Sequence, residues 1–164
     1  MATKLVIGKS APKSFPMNVE VPTPHGPREI NFEAKYMLST EWAKLREDHA
    51  EGISKVTKEM FDAAKVEATR AYTIASQNAP KVATTEAERE KEILALMKPI
   101  KDSEFESMRA KFAGELIFKI MTGWDLDAPL SVASLTEMCD QYPGSAESVF
   151  KAYNEAREGT RAKN

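Results

Sequence analysis

Hydrophobic and polar residues alternate one for one through the first part of the chain. Phe15, Met17, Val19 and Val21 interleave with Pro16, Asn18, Glu20 and Pro22. Beyond Thr23-Pro24-His25-Gly26-Pro27, the residues Ile30, Phe32, Ala34, Tyr36 and Leu38 alternate with mostly polar neighbours. Successive side chains of a strand point to opposite faces, so each run presents one apolar and one solvated face. Two such runs about a Pro/Gly loop predict a β-hairpin with a long connection. Lys4 to Ile7 offers a short third strand. A lone hairpin is marginal in water, so its apolar face needs a packing partner.

From Thr40 the period lengthens to steps of three and four. Ile53, Val56, Met60, Ala64, Ala68, Ala71 and Ala75 share one helix face. The alanines let another helix approach closely while burying little area each. Asn78 and Pro80 are expected to end this helix, because the residue before proline disfavours the α region. Residues 81–85 then read as a linker. Thr85 and Glu88 have the spacing of a capping box, opening a shorter helix with Ile93, Leu94, Met97 and Ile100 on its apolar side and Pro99 at its end. Ser103 with Glu106 is a second candidate box, ahead of a helix carrying Phe105, Met108, Phe112, Leu116 and Ile120. Its last turns, Leu116 to Met121, are apolar almost all round, with Phe118 and Met121 on the far side from the stripe. Gly123 is expected to end it. Val132, Leu135, Met138, Cys139 and Tyr142 mark a further helix, Pro143-Gly144 breaks it, and Ala146, Val149, Phe150 and Tyr153 mark the last. The polar tail from Arg157 is expected to fray.

These elements predict an α+β fold, an N-terminal β-hairpin or small antiparallel sheet packed on a mainly helical C-terminal part. The 164 residues suit a single domain, since domains commonly run to ~100–200 residues. Within it we expect a β-hairpin region over 1–38, a helical arm over 40–100 and a helical core over 102–158.

Charge and cysteine content narrow the function. With 23 basic and 25 acidic residues the formal charge is −2, which argues against nucleic acid as the main partner, because phosphate binding needs a clustered positive surface. One cysteine, Cys139, forms no internal disulfide and fits a reducing cytoplasm. No run approaches the ~18 apolar residues of a membrane span, and the first residues lack a signal-peptide hydrophobic region.

Candidate chemistry is sparse. Of the two histidines, His25 lies in the hairpin loop and His49 in the charged stretch Arg46-Glu47-Asp48-His49; neither has a second ligand at zinc-type spacing. Cys139 falls on an apolar stripe, where a cysteine behaves as a small hydrophobe. No Gly-x-Ser-x-Gly elbow or phosphate loop occurs. Asp125 and Asp127 are a possible carboxylate pair for a divalent cation, but further oxygen ligands are missing and aspartates at a helix corner ordinarily bond backbone amides. We therefore expect no catalytic residues, no cofactor and no metal. Several of the eight methionines lie on core stripes and fill gaps there.

The ordered segments carry a resemblance. Lys4-Leu5-Val6-Ile7-Gly8-Lys9 precedes the hairpin, and Ile30-Asn31-Phe32-Glu33-Ala34-Lys35-Tyr36 leads into Leu38-Ser39-Thr40-Glu41-Trp42. Gly123-Trp124-Asp125-Leu126-Asp127-Ala128-Pro129-Leu130 is followed by Leu135-Thr136-Glu137-Met138-Cys139, by Asp140-Gln141-Tyr142-Pro143-Gly144-Ser145-Ala146 and by Val149-Phe150-Lys151-Ala152-Tyr153. This combination resembles the tail assembly chaperone family of long-tailed bacteriophages, over roughly residues 1–45 and 110–156; residues 50–100 match only loosely.

The resemblance implies a non-catalytic factor of the host cytoplasm, absent from the mature virion. Its implied partners are the tape-measure protein and the major tail-tube protein, with a homo-oligomer also open and neither nucleic acid nor membrane involved. Phe118, Met121, Trp124 and Tyr142 are the candidate partner-binding residues, set against the readings that Phe118 and Met121 are buried within the chain itself and that Trp124 and Tyr142 mainly lock a helix-turn-helix corner. The rival functions are a structural virion subunit (a connector, minor capsid or tail protein), a metal-dependent enzyme using Asp125 and Asp127, and a nucleic-acid-binding regulator.

Overall fold

In the computed structural model, which describes residues 13–78 and 85–159, the alternating runs form two strands, β1 (Ser14–Val21) and β2 (Arg28–Lys35). They pair antiparallel, with Met17 opposite Phe32 and Val19 opposite Ile30. The period of two decides which face is buried: Met17, Val19, Val21, Ile30, Phe32 and Ala34 are all sealed from solvent. The turn closes through the Gly26 amide on the Thr23 carbonyl at 3.0 Å, and Gly26 takes a left-handed φ of 96° that a side chain would strain. The expected strand at Lys4–Ile7 lies outside the described residues.

Helix α1 (Ser39–Asn78) is followed by α2 (Glu86–Leu96) and α3 (Asp102–Ile120). The expected end of α1 by Pro80 and most of the expected linker lie outside the described residues. Helix α2 stops at Leu96 with Met97 as its cap, ahead of Pro99, so Met97 and Ile100 fall beyond the helix whose apolar side they were expected to join. The Thr85 capping box forms as predicted, Thr85 Oγ1 accepting from the Glu88 amide at 3.2 Å while Glu88 Oε2 accepts from the Thr85 amide at 3.1 Å. The second box does not. Glu104 and Phe105 amides donate to the Lys101 carbonyl, so α3 opens before Ser103 and leaves that residue inside the first turn.

A larger departure follows Ile120. The chain leaves the helix and forms a third strand, β3 (Met121–Trp124), which pairs antiparallel with β2 to give the order β1-β2-β3. The expectation of a helix running through Met121 to a stop at Gly123 is thereby corrected. Four residues containing glycine carry too short a pattern to distinguish strand from helix end, and it is the open edge of β2 that captures them. The ladder matches Phe32 with Trp124 and Ala34 with Met121, with an irregularity between Glu33 and Ala34 where Thr122 Oγ1 donates to the Glu33 carbonyl at 3.1 Å. Helices α4 (Val132–Gln141) and α5 (Ser145–Arg157) complete the chain.

The chain divides into two compact units, one of residues up to Arg46 and from Glu106 onward, the other Glu47–Phe105. The first holds the sheet, α4, α5, the start of α1 and most of α3. Its core joins Val19 and Phe32 of the sheet to Ile117 and Ile120 of α3, Leu135 of α4, and Val149 and Tyr153 of α5. Tyr153 is buried, its ring 5.8 Å from Phe15 and 5.0 Å from Trp42, and its hydroxyl donates to the Lys35 carbonyl at 2.9 Å. Helices α3 and α4 touch at Gly114, where an added Cβ would lie 2.7 Å from both the amide nitrogen and Oγ1 of Thr136. In the second unit the alanine face of α1 lies beside the end of α2, around Ala64, Ala68 and Leu96. Lys65–Glu90 and Lys98–Glu67 ion pairs join the two segments at 2.8 and 3.1 Å.

Candidate functional site: an apolar groove beside the third strand

Strand β3 matters because of what it carries out of the sheet. Its last residue, Trp124, packs on Phe32 with ring centroids 5.9 Å apart, and its indole N–H donates to the Ala128 carbonyl at 2.6 Å. That bond folds the loop back under the ring. The next residue fixes the loop to the sheet. The Asp125 carboxylate accepts from the Asn31 backbone amide at 3.0 Å and from Asn31 Nδ2 at 2.7 Å, while the Asp125 amide donates to the Asn31 carbonyl at 3.1 Å. These bonds, the Asn31 side-chain amide foremost, hold the Asp125 carboxyl below its ordinary pKa. An aspartate engaged this way is a ladder extension. No group of three or more His, Cys, Asp or Glu gathers at metal-binding distance among the described residues.

Helix α4 supplies the opposite wall. Ser131 caps it, its hydroxyl accepting from the Ser134 amide at 3.1 Å, and Ser134 Oγ donates to the Pro129 carbonyl at 2.9 Å. At the other end the Tyr142 amide bonds the Met138 carbonyl and Gly144 turns the chain with a φ of 90°. Tyr142 is thereby left standing out of the corner.

Between these walls lies a groove of ≈ 360 Å³. Val21, Ile30 and Met138 are buried and form its floor, while Trp124, Leu126 and Tyr142 rise around it. Leu126 is 41% and Tyr142 36% exposed, large apolar side chains left open to solvent on one patch. Arg28, Glu29, Glu137 and Gln141 give the rim its polar character. An apolar floor with a mixed-charge rim is the anatomy of a protein-docking surface.

Two of the four residues singled out from sequence, Trp124 and Tyr142, thus meet in one groove. They do so across a strand-loop-helix corner, where a helix-turn-helix was expected. Phe118 stands 41% exposed on α3 and is not part of the groove. Met121 is 2% exposed and belongs to the core, which fits the burial reading of this residue and not the partner-binding one; it lies there as the first residue of β3. Leu126 was missed, although its position inside Gly-Trp-Asp-Leu-Asp, an apolar residue between two aspartates, was the available signal. Cys139 lines a separate cavity of ≈ 550 Å³ with residues of α3 and α5; burial pushes its thiol pKa up, the opposite of the lowered pKa that activates a nucleophilic cysteine.

The comparison with known families decides the assignment. A model described as phage tail assembly chaperone matches residues 1–164, the full length of the chain. The chain belongs to the phage tail assembly chaperone family. No curated protein and no solved structure gives a significant match. The family gives this tail assembly chaperone a role in phage tail assembly.

Proposed function

We propose that this tail assembly chaperone holds the tape-measure protein of its virus through the groove beside β3 and helps recruit tail-tube subunits to it. It acts in the host cytoplasm and leaves before the virion is complete. The observation that supports this reading is the exposed pair Leu126 and Tyr142, with half-buried Trp124 between the walls, over a buried apolar floor. A long helical client with an apolar stripe aggregates unless the stripe is covered, and an amphipathic helix laid into an apolar groove is a recurrent way of covering it. A helix ~10 Å across rises ~5.4 Å per turn, or ~400 Å³ per turn. The groove therefore receives the apolar face of one or two turns, a modest contact. Many weak contacts along one extended client give retention together with release.

The test is co-expression with the tape-measure protein of the same virus, followed by a solubility assay and pull-down. The chaperone should render the client soluble and co-purify in a many-to-one ratio, and a Leu126→Glu, Tyr142→Glu double variant should fold normally yet lose the client. A client that is equally insoluble with and without the chaperone would sink the proposal. Finding this chain in purified virions by mass spectrometry would turn the assignment to a structural subunit.

A further inference from the structure

A second site lies on the same unit, built from the start of α1 and the end of α5. A pocket of ≈ 440 Å³ is lined by Tyr36, Ser39, Trp42, Arg46, Arg157 and Glu158, with Asn154 beside them. Both arginines are held over aromatic rings. The Arg46 guanidinium carbon sits 5.4 Å from the Trp42 ring centroid and that of Arg157 5.7 Å from the Tyr153 ring, distances at which the ring quadrupole attracts a cation. The two rings are in edge-to-face contact at 5.0 Å, and the Trp42 indole donates to Asn154 Oδ1 at 2.9 Å. The platform is thus fixed before anything binds.

The guanidinium groups on it are under-used. Ion pairs among the described residues join Lys65 to Glu90, Lys98 to Glu67 and Arg109 to Glu106; neither Arg46 nor Arg157 takes part in one. Among the described residues Arg157 makes one long bond, Nη2 to Ser39 Oγ at 3.3 Å, and its Nε is buried without an acceptor. A buried donor left unmatched costs stability, so the guanidinium has hydrogen-bonding capacity to spare. Glu158 is the one carboxylate lining the pocket, and two guanidiniums against it leave one net positive charge.

We propose that this pocket binds a single carboxylate side chain, aspartate or glutamate, presented by a partner protein next to an apolar residue. Arginine's planar fork matches a carboxylate in two parallel bonds. Tyr36, 45% exposed at the mouth, gives the apolar neighbour a surface to lie on. One net positive charge suits one carboxylate, whereas a nucleic acid would require a basic surface extending beyond the pocket. The inference does not rest on the groove beside β3, with which the pocket shares no lining residue.

The experiment uses the intact, ¹⁵N-labelled protein and two capped pentapeptides, Ala-Leu-Asp-Phe-Ala and its Asn counterpart, titrated by NMR. The Asp peptide should bind ~tenfold or more tightly than the Asn peptide, the scale of a charge-assisted pair. It should move the Trp42 indole and Arg157 Nε signals while leaving Trp124 in place. Arg46→Gln and Arg157→Gln should each return the affinity to that of the Asn peptide; Arg46 is exposed, so its variant decides the matter if Arg157→Gln fails to fold. Equal binding of the two peptides would overturn the proposal, as would shifts centred on Trp124 or tighter binding of a single-stranded oligonucleotide. The Leu126→Glu, Tyr142→Glu variant should bind the Asp peptide normally, so failure here and failure of the groove are told apart.

Discussion

The two units of the chain are stabilised in different ways. In the first, every strand and helix contributes a side chain sealed from solvent, from Val19 in β1 to Tyr153 in α5. In the second, Ala68 and Ile93 alone are buried among the described residues, while Phe61, Val66, Ile74, Leu94 and Leu96 are 46–60% exposed. A sheet with helices upon it encloses volume, and enclosed volume lets large side chains leave water completely. Two helical segments meeting along alanines enclose almost none, so the second unit rests on its helical hydrogen bonds and a shallow apolar contact. Structure with little buried apolar area opens at low free-energy cost. Amides of β2 and α5 should accordingly outlast those of α1 beyond Glu47 in hydrogen exchange.

Truncating the first core should have the largest effect. Phe32 is 2% exposed at the centre of the sheet, and Phe32→Ala should cost ~3–5 kcal/mol, the range for losing a buried aromatic and leaving a cavity. Urea unfolding measures it; a loss of under ~1 kcal/mol would mean the core is not packed as described. Gly114 tests the same unit from the opposite side, by overfilling. A side chain there collides with the Thr136 backbone at 2.7 Å, and backbone cannot step aside as a side chain can. Gly114→Val should cost roughly 3 kcal/mol, the upper part of the overpacking range, and a neutral result would show that α3 and α4 do not approach this closely.

Ile93→Ala makes the corresponding cut in the second unit. Only one large side chain is lost from a shallow contact, so ~2 kcal/mol is expected, the low end for such truncations. The loss should appear as faster exchange confined to residues 47–105, with the global unfolding midpoint almost unmoved. A full shift of the global midpoint would show that the two units unfold as one.

How much of this was legible in the sequence follows from the range over which each signal acts. Met17, Val19, Ile30 and Phe32 declared a half-buried hairpin through alternation alone, and Thr85 with Glu88 declared a helix start, because both signals are local. The family resemblance was carried by ordered segments, and a match over the full chain bears it out. Strand β3 was not legible. Met121 to Trp124 pairs with a strand nearly ninety positions away, as in Glu33 with Gly123, and nothing in four residues announces a distant partner. That single omission left Met121 open between core and partner contact and hid Leu126, so the groove was half-seen, through Trp124 and Tyr142 only. The arginine pocket was invisible for the same reason: Arg46 and Arg157 stand more than a hundred positions apart in the chain. Of the residues that hold them, Tyr153 read as part of the last helix's apolar face and Trp42 only as the end of a segment carrying the resemblance.

Asp125 gives a smaller test, with a pH signature. Its folded pKa is depressed by the Asn31 side chain and amide, so its contribution to stability is fully present above the unfolded carboxylate value and is lost as pH falls through the lower folded value. Asp125→Asn keeps one acceptor and loses the charge. The variant should melt slightly below the wild type at neutral pH, and the gap should close in acid below the usual carboxylate range. A gap of constant size at every pH would mean that the loop is held by shape and not by this carboxylate.

The smallest effect is expected where the second unit shows its most visible polar contact. Lys65 and Glu90 meet at 2.8 Å with side chains 44% and 57% exposed, and each shifts the other's pKa toward the charged form, through their hydrogen bond first and their charges second. Water and salt screen such a pair, and ordering two long side chains offsets much of what remains. A double-mutant cycle with Lys65→Met and Glu90→Gln, run at moderate salt, should give a coupling that cannot be separated from zero. A clear coupling that fades as salt is added would reverse the comparison drawn above. The second unit would then be held by its surface charges, and ionic strength alone should loosen it while leaving the first unit intact.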